Sequence, residues 1–342
     1  KIFRRVSEGR HPEPEMGRYL TQSGFANVPP LLGEIVRLST DGAEASLGLA
    51  QGFVRNQGDA WAWLLDHLLR ALDDLAAPDP SAQTEADHLS DYETLAASIG
   101  QRLGEMHMVL ARATEDPAFA PAAATAEDTA HWSKRTEAQL NAALAVIAGH
   151  PWSRAGDARR AAALEACGPD LLAAVRDLAL AGRGALMTRI HGDFHLGQVL
   201  VVRGDIYIID FEGQPTRPIT ERRAKSSPLR DVAGLLRSFD YAAATIIDRR
   251  NVGSARISDD RRDEFIARFR ACAPAAFLRA YGAAVAAADN LMNERLLDLF
   301  LIEQAAYEIT YEAASRPTWL AVPLAGLSVL ANRVLQGREE RS

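Results

Sequence analysis

The chain has 342 residues, 48% of them apolar, and its 38 Lys and Arg against 45 Asp and Glu give a formal net charge of −7. That length holds one large domain or two modest ones around a substantial buried core. The acidic balance excludes nucleic acid as a default partner, and no run approaches a membrane span, because charges interrupt the Ala-rich stretches.

Lys1-Ile2-Phe3-Arg4 reads as the inside of a β-strand. Pro12 to Leu20 is a predicted short helix, with Glu13 and Glu15 near its start, where carboxylates suit the helix dipole. Leu31 to Leu38 and Ala45 to Ala50 are predicted strands about an Asp41-Gly42 turn. Gln51-Gly52-Phe53-Val54 leads into a polar turn that ends at Asp59, a candidate N-cap. From Trp61 to Leu75 apolar residues recur at helical spacing, and Ala77 to Thr84 is a Pro/Ser/Ala linker. The next long helix carries Leu95, Ile99, Leu103, Met106 and Leu110 on one stripe, with His107 beside it as a core histidine. Helices over about 126–148 and 157–181 offer no chemistry. Cys167 and Cys272 make neither a metal nor a disulfide pattern and read as small buried residues. With no secretory signal, the expected compartment is the cytoplasm.

Chemistry concentrates in IHGDFHLGQVLVVRGDIYIIDFEG, residues 190–213. Val199–Val202 and Ile206–Ile209 are β-rich about Gly204-Asp205, which predicts a short hairpin. Its mouth carries His191, Asp193, His195 and Gln198, and its exit carries Asp210 and Glu212. A hairpin returns its exit to the level of its entry, so Asp193 and Asp210 can converge. This is the phosphoryl-transfer pattern of a His-x-Asp loop with an amide five residues on, followed by a metal-binding Asp-Phe-Gly segment. One carboxylate accepts the hydroxyl proton, while an amide oxygen and a second carboxylate hold Mg²⁺ on the nucleotide phosphates. A metallohydrolase built on His-x-Asp-x-His is the competing chemistry, and it leaves Gln198 and Asp210 without a task.

Beyond the hairpin, Arg217, Arg222, Arg223 and Lys225 form a basic segment that could face phosphate or sugar. Pro228 opens a predicted helix to about Asp248, with Asp231 in its first turn as a structural residue. Helices over about 260–287, 293–314 and 318–336 complete the chain. Tyr307, Glu308, Tyr311, Glu312, Arg316 and Trp319 combine aromatic faces with charged groups, the chemistry that suits a pyranose.

HGDFHLGQVL, IIDFEGQPTRPITERRAKSSPLRDVAGLLRSFDYAA and QGFVRNQGDAW resemble the maltokinase family. These are kinases of the aminoglycoside-phosphotransferase-like type that make maltose 1-phosphate from maltose and ATP, some of them fused to the C-terminus of trehalose synthase. The resemblance runs over nearly the whole chain, and Gln198 in place of Asn is the family's own variant. It implies an α+β, protein-kinase-like fold. Residues 1–57 would form a partial N-lobe sheet and hinge, and residues 58–342 a mostly helical C-lobe. It implies that Lys1 contacts the nucleotide phosphates with Glu15 as its helical partner. Gln51, Phe53 and Val54 would bind adenine through the hinge backbone. Asp193 would be the base, His195 would touch the acceptor, and Gln198 and Asp210 would hold Mg²⁺. Tyr311, Glu312, Arg316 and Trp319 would take the sugar. The implied partners are ATP, maltose and a fused or associated trehalose synthase. A glycine-rich loop, first strands and N-terminal cap are expected to be missing, leaving the strand of Lys1 frayed. An aminoglycoside or choline-like acceptor stays open, as does a catalytically silent domain docked on a fused glucan enzyme.

Overall fold

Several helices begin where a side chain caps them. In the computed structural model, which describes residues 1–4, 6, 8–76, 83–248, 257–288 and 290–340, α1 spans Pro12–Gln22. It is capped by His11, whose Nδ1 accepts the Glu13 N–H at 3.3 Å. Strands β1 (Leu31–Leu38) and β2 (Glu44–Gln51) follow, then α2 (Ala60–Ala76) with Asp59 accepting the Ala62 N–H at 2.8 Å, the cap expected of it. The predicted linker from Ala77 falls outside the described residues up to position 82. Helices α3 (Glu85–Leu110) and α4 (Ala126–Gly149) each open on a capping box, Thr84 with Asp87 and Thr125 with Asp128, satisfying first-turn N–H groups reciprocally. A two-residue β3 (Ala122–Ala123) pairs with β4 (Leu186–Met187) across α4 and α5 (Ala155–Leu180). After strands β5 (Val199–Val202) and β6 (Asp205–Ile208) come the single turn α6 (Ile219–Arg222) and the helices α7 (Leu229–Asp248), α8 (Asp259–Val285), α9 (Glu294–Ser315) and α10 (Ala321–Glu339).

The chain divides into two compact units. The first holds Lys1–Pro121, Thr188–Ser226 and Ala242–Asp289, and the second holds Ala122–Met187, Ser227–Tyr241 and Asn290–Ser342. Residues 1–57 therefore share a unit with α2, α3 and the hairpin. In the first unit α3 lies along α8 so closely that a Cβ on Gly100 would come within 2.3 Å of the Phe277 carbonyl oxygen. His107 is fully buried there and pairs with the Tyr281 hydroxyl at 3.0 Å, the core histidine expected. The start of the chain adds an antiparallel bridge to the two-stranded β1–β2 sheet, with Ile2 opposite Gly48. Lys1 N donates to the Leu49 carbonyl at 2.9 Å, the Leu49 N–H returns to Lys1 O at 2.9 Å, and the Phe3 N–H meets Leu47 O at 2.9 Å. Gly48 permits that approach, since a Cβ there would stand 2.6 Å from Lys1 O. The frayed strand anticipated for Lys1 is thus corrected, because its backbone is paired on both sides of the peptide.

In the second unit α4, α5, α9 and α10 pack on one another. By length and composition Pro317–Glu339 is apolar enough to cross a membrane, where the sequence reading found no such run. Leu324, Leu327, Leu330, Ala331 and Val334 on it are buried where the helix packs on α5 and α9, while Val329 is exposed, so one face of the helix is covered. Both cysteines are half-buried, and burial pushes the Cys272 thiol up to about 11, so it stays protonated and unreactive.

Candidate active site

The hairpin forms with Val199 opposite Ile208 and Val202 opposite Asp205. Its turn is Arg203-Gly204, both left-handed at φ 40° and 85°, one residue earlier than the Gly204-Asp205 expected. Val199, Val201, Ile206 and Ile208 are buried on one face, which fixes the register, since a one-residue slip would expose all four. The Ile209 N–H donates to Gln198 O at 3.0 Å, so the ladder carries the chain to Asp210 beside the loop that bears Asp193.

His191 organises that loop. It is 1% exposed, and its Nδ1 accepts the Asp193 N–H at 3.4 Å, which leaves Nε2–H to donate to Ile209 O at 2.8 Å. Phe194 and Phe211 flank its ring, with centroids 5.3 and 5.0 Å away. Gly192 (φ 81°) and Gly213 (φ 67°) meet here, and a Cβ on Gly192 would stand 3.5 Å from the Gly213 Cα. Two left-handed backbones in contact suit glycine at both places. Asp210 itself sits at φ 67°, a strained conformation for a residue with a side chain. His195 Nδ1 accepts the Gly197 N–H at 3.1 Å and opens a 3₁₀ turn over Leu196–Gln198. Its Nε2 lies 3.4 Å from the Gln198 side-chain amide, and burial lowers its pKa, so the ring is neutral.

A charge cluster gathers around Lys1. Its Nζ donates to Glu13 Oε2 at 2.7 Å, to Glu212 Oε1 at 2.7 Å and to Asp210 Oδ1. Burial works against the Lys1 charge, but Glu13 and the bonds to all three carboxylates outweigh it and raise its pKa. Burial also pushes Asp210 up, and Lys1 overrides this to hold the carboxyl below its ordinary range. Glu13, only 2% exposed, is pushed up to about 7 by burial, with Asp210 and Glu212 adding to the rise against the pull of Lys1. Three carboxyl groups facing one ammonium leave negative charge in excess. Their ligand oxygens lie within 4.8 Å of one another, so hard oxygen donors are already collected for a divalent cation.

This arrangement corrects one expectation and extends another. Glu15 does not meet Lys1; it accepts from Arg189 Nη1 at 2.7 Å and from Arg223 Nε and Nη2 at 2.9 and 2.7 Å. Residues two apart on a helix are turned about 200° from each other, so only one of Glu13 and Glu15 can face Lys1. Glu212 joins Asp210 in the carboxylate cluster, whereas the Gln198 side chain is turned to His195.

At the tip of the hairpin, a cavity of about 540 Å³ lies over Val202 and Tyr207, walled by Phe25, Pro30, Phe53 and Val54. Gly52 is tied by its N–H to Pro30 O at 2.9 Å, while the N–H groups of Phe53 and Val54 donate to no carbonyl among the described residues. Gln51 ends β2 opposite Leu31.

Tyr311, Glu312, Arg316 and Trp319 are brought together in the second unit. Arg316 grips Glu312 through Nε at 3.0 Å and Nη2 at 2.6 Å, and lies 5.9 Å from the Tyr311 ring and 5.4 Å from that of Trp319. Tyr241, which the sequence did not single out, donates its hydroxyl to Glu312 at 3.1 Å and stacks on Trp319 at 6.3 Å. Its only signal was its place at the end of the QPTRPITERRAKSSPLRDVAGLLRSFDY stretch. Glu308 is engaged instead by Arg237, at 2.9 and 2.7 Å.

No protein-family model matches the chain. It is 28% identical over 323 residues to a glucosamine kinase of Streptacidiphilus jiangxiensis, a match covering 93% of this chain and 65% of that protein. A glucosamine kinase of Mycolicibacterium smegmatis is 27% identical over 329 residues, covering 95% of this chain and 73% of its own. Among solved structures, a glucosamine kinase in complex with glucosamine, ADP and inorganic phosphate has a TM-score of 0.76 at 26% identity, covering 96% of this chain and 71% of the other. A second crystal form of glucosamine kinase also has a TM-score of 0.76, at 25% identity, covering 97% and 75%. The chain thus spans 65% of the length of the first of these curated relatives and shares the α+β, kinase-like fold of the solved ones. The similarity supports a phosphotransferase family, and it does not single out maltokinase.

Proposed function

We propose that the chain phosphorylates a sugar hydroxyl at the expense of ATP. The observation that carries this reading is the convergence, at the mouth of one hairpin, of the Asp193 loop with a left-handed Asp210 bonded to Lys1. Asp193, oriented through its N–H by His191, accepts the proton of the attacking hydroxyl. The new bond forms between that oxygen and the terminal phosphorus of ATP, and the bond to the bridging oxygen of ADP breaks. His195, neutral and beside Gln198, is placed to touch the acceptor. Asp210 and Glu212, with Glu13 behind them and Gln198 near the loop, fit Mg²⁺ by their hard oxygens. When bound, Mg²⁺ offsets the charge that develops on the phosphates. Lys1 would then turn from the carboxylates toward phosphate.

The same reading puts residues 1–57 on the nucleotide side and adenine beside Gln51, Phe53 and Val54, where hinge N–H groups that meet no carbonyl among the described residues supply donors. Tyr311, Glu312, Arg316 and Trp319 are the proposed sugar contacts, with the half-exposed Arg316 as the movable member. Glucosamine is the first substrate to test, because the relatives are named for it. Maltose is the second. Together with a trehalose synthase partner, it rests on the motif resemblance of the Asp210–Ala243 stretch. A cytoplasmic location follows from the ATP requirement.

ADP release should be followed with ATP, Mg²⁺ and a panel of glucosamine, maltose, glucose, choline and an aminoglycoside. Turnover with one sugar, abolished by chelating Mg²⁺, is the expected outcome. ATP-independent hydrolysis that survives Mg²⁺ removal and is lost to a zinc chelator would replace the kinase with the metallohydrolase.

A further inference from the structure

The two glutamates of α1 serve different neighbours. Glu13 faces Lys1, and Glu15, 8% exposed, faces a pair of arginines drawn from two other segments. Arg189 is 1% exposed and lies 5.1 Å from the Phe119 ring. It bonds Glu15 through Nη1, and among the described residues its Nε and Nη2 meet no hydrogen-bond partner. A guanidinium held so deep with donors unmade is a poor way to gain stability, since packed apolar groups of similar volume do as well. What such a pair supplies is position.

We propose that Glu15 is a positioning residue, which through Arg189 and Arg223 sets α1 so that Glu13 meets Lys1 and the Asp210 motif. Arg189 lies two residues before His191, on the segment that leads into the Asp193 loop. Arg223 follows Arg222, whose Nη1 donates to Glu212 O at 3.1 Å and whose methylenes lie 3.5 Å from the Cβ position of Gly213. The two arginine segments are themselves joined, Thr188 N–H to Ser226 O at 3.0 Å and Ser226 N–H to Thr188 O at 2.8 Å. One carboxylate thereby ties together the three segments that carry Glu13, Asp193 and Asp210. A shift of α1 by part of a turn would withdraw Glu13 from Lys1 while leaving the hairpin whole. The inference rests on the phosphotransferase reading, which gives Lys1 and Asp210 their task.

The test uses the full chain with Arg223→Gln, Arg223→Lys and Glu15→Gln. Arg223 is about one-third exposed, so its variants should fold even where Glu15→Gln, which strands a buried Arg189, does not. Hydrogen exchange of the α1 amides is measured beside KM for ATP and for the sugar. Arg223→Gln should speed α1 exchange and raise the ATP KM about five- to twentyfold, with the sugar KM within about twofold and the melting temperature little changed. Arg223→Lys, which keeps the charge and loses the fork, should fall between. Unchanged α1 exchange, or equal rises in both KM values, would overturn the proposal. Should the wild type neither bind nor turn over ATP, the phosphotransferase reading fails, and α1 exchange alone still decides whether Glu15 sets the helix.

Discussion

Asp210 holds a left-handed backbone that costs a non-glycine residue about 1–3 kcal/mol, a strain tolerated only where the surroundings over-determine it. Here the Ile209–Gln198 ladder bond fixes the residue before it, and Lys1 fixes its side chain. Asp193 carries no such strain and is half-exposed, open to a substrate hydroxyl. Asp193→Asn is therefore expected to lower kcat by about 10²–10⁴ with nucleotide affinity within a factor of about two. An unimpaired variant would remove Asp193 from the mechanism. Lys1→Met leaves Glu13, Asp210 and Glu212 facing one another with no cation. Its melting temperature should fall at neutral pH and recover with millimolar Mg²⁺, provided the three oxygens do bind metal. A loss indifferent to Mg²⁺ would count against the cluster as a metal site.

At the scale of elements, the hairpin is anchored from outside by α3. Arg102 donates through Nε and Nη2 to Asp205, both at 2.9 Å. Burial pushes the Asp205 carboxyl up, and Arg102, the Ile206 N–H and Asn27 overcome this to hold it below its ordinary 3.8. A depressed carboxylate stabilises the fold above its unfolded pKa and loses that contribution as pH falls through the folded value. Arg102→Met should thus be less stable than wild type at pH 7 by about 1 kcal/mol or less, given an Asp205 side chain 38% exposed. The deficit should shrink below about pH 4, which urea unfolding at stepped pH can read. A deficit that grew toward acid would refute the anchor. The α3–α8 seam offers a sharper case, because the obstacle at Gly100 is a backbone carbonyl that no rotamer can move. Gly100→Ala should cost about 1–3 kcal/mol by overpacking, despite the better helix propensity of alanine.

For the molecule as a whole, a ligand that binds only the folded state stabilises it by about 2.7 kcal/mol at a hundred times its Kd. ADP with Mg²⁺ should raise the melting temperature of the wild type by several degrees, and of Asp210→Ala far less. Equal shifts in the two would place the nucleotide away from Asp210. The charge cluster works in the same direction: three carboxyl groups share the one Lys1 ammonium, so metal and nucleotide should stabilise together more than either does alone.

Much of the architecture was legible because its causes are local. The Asp59 cap of α2, the apolar stripe of α3 and the valine and isoleucine run about Gly204 each act within a few residues, so their outcome is written in the sequence. The approach of the Asp193 loop to Asp210 followed from the geometry of a hairpin, with the turn displaced by one residue. What the sequence could not decide was which charges meet across distance. Glu13 and Glu15 are equal as first-turn acids, and only the docking of α1 against segments near 189, 212 and 223 chose Glu13 for Lys1 and Glu15 for the arginines. The same holds for Tyr241 on Glu312 and for Lys1 itself, secured by Leu49 rather than by its own neighbours. Local propensity depends on side chains a turn apart, whereas ion-pair choice depends on which face of one element packs against another, and tertiary packing alone sets that.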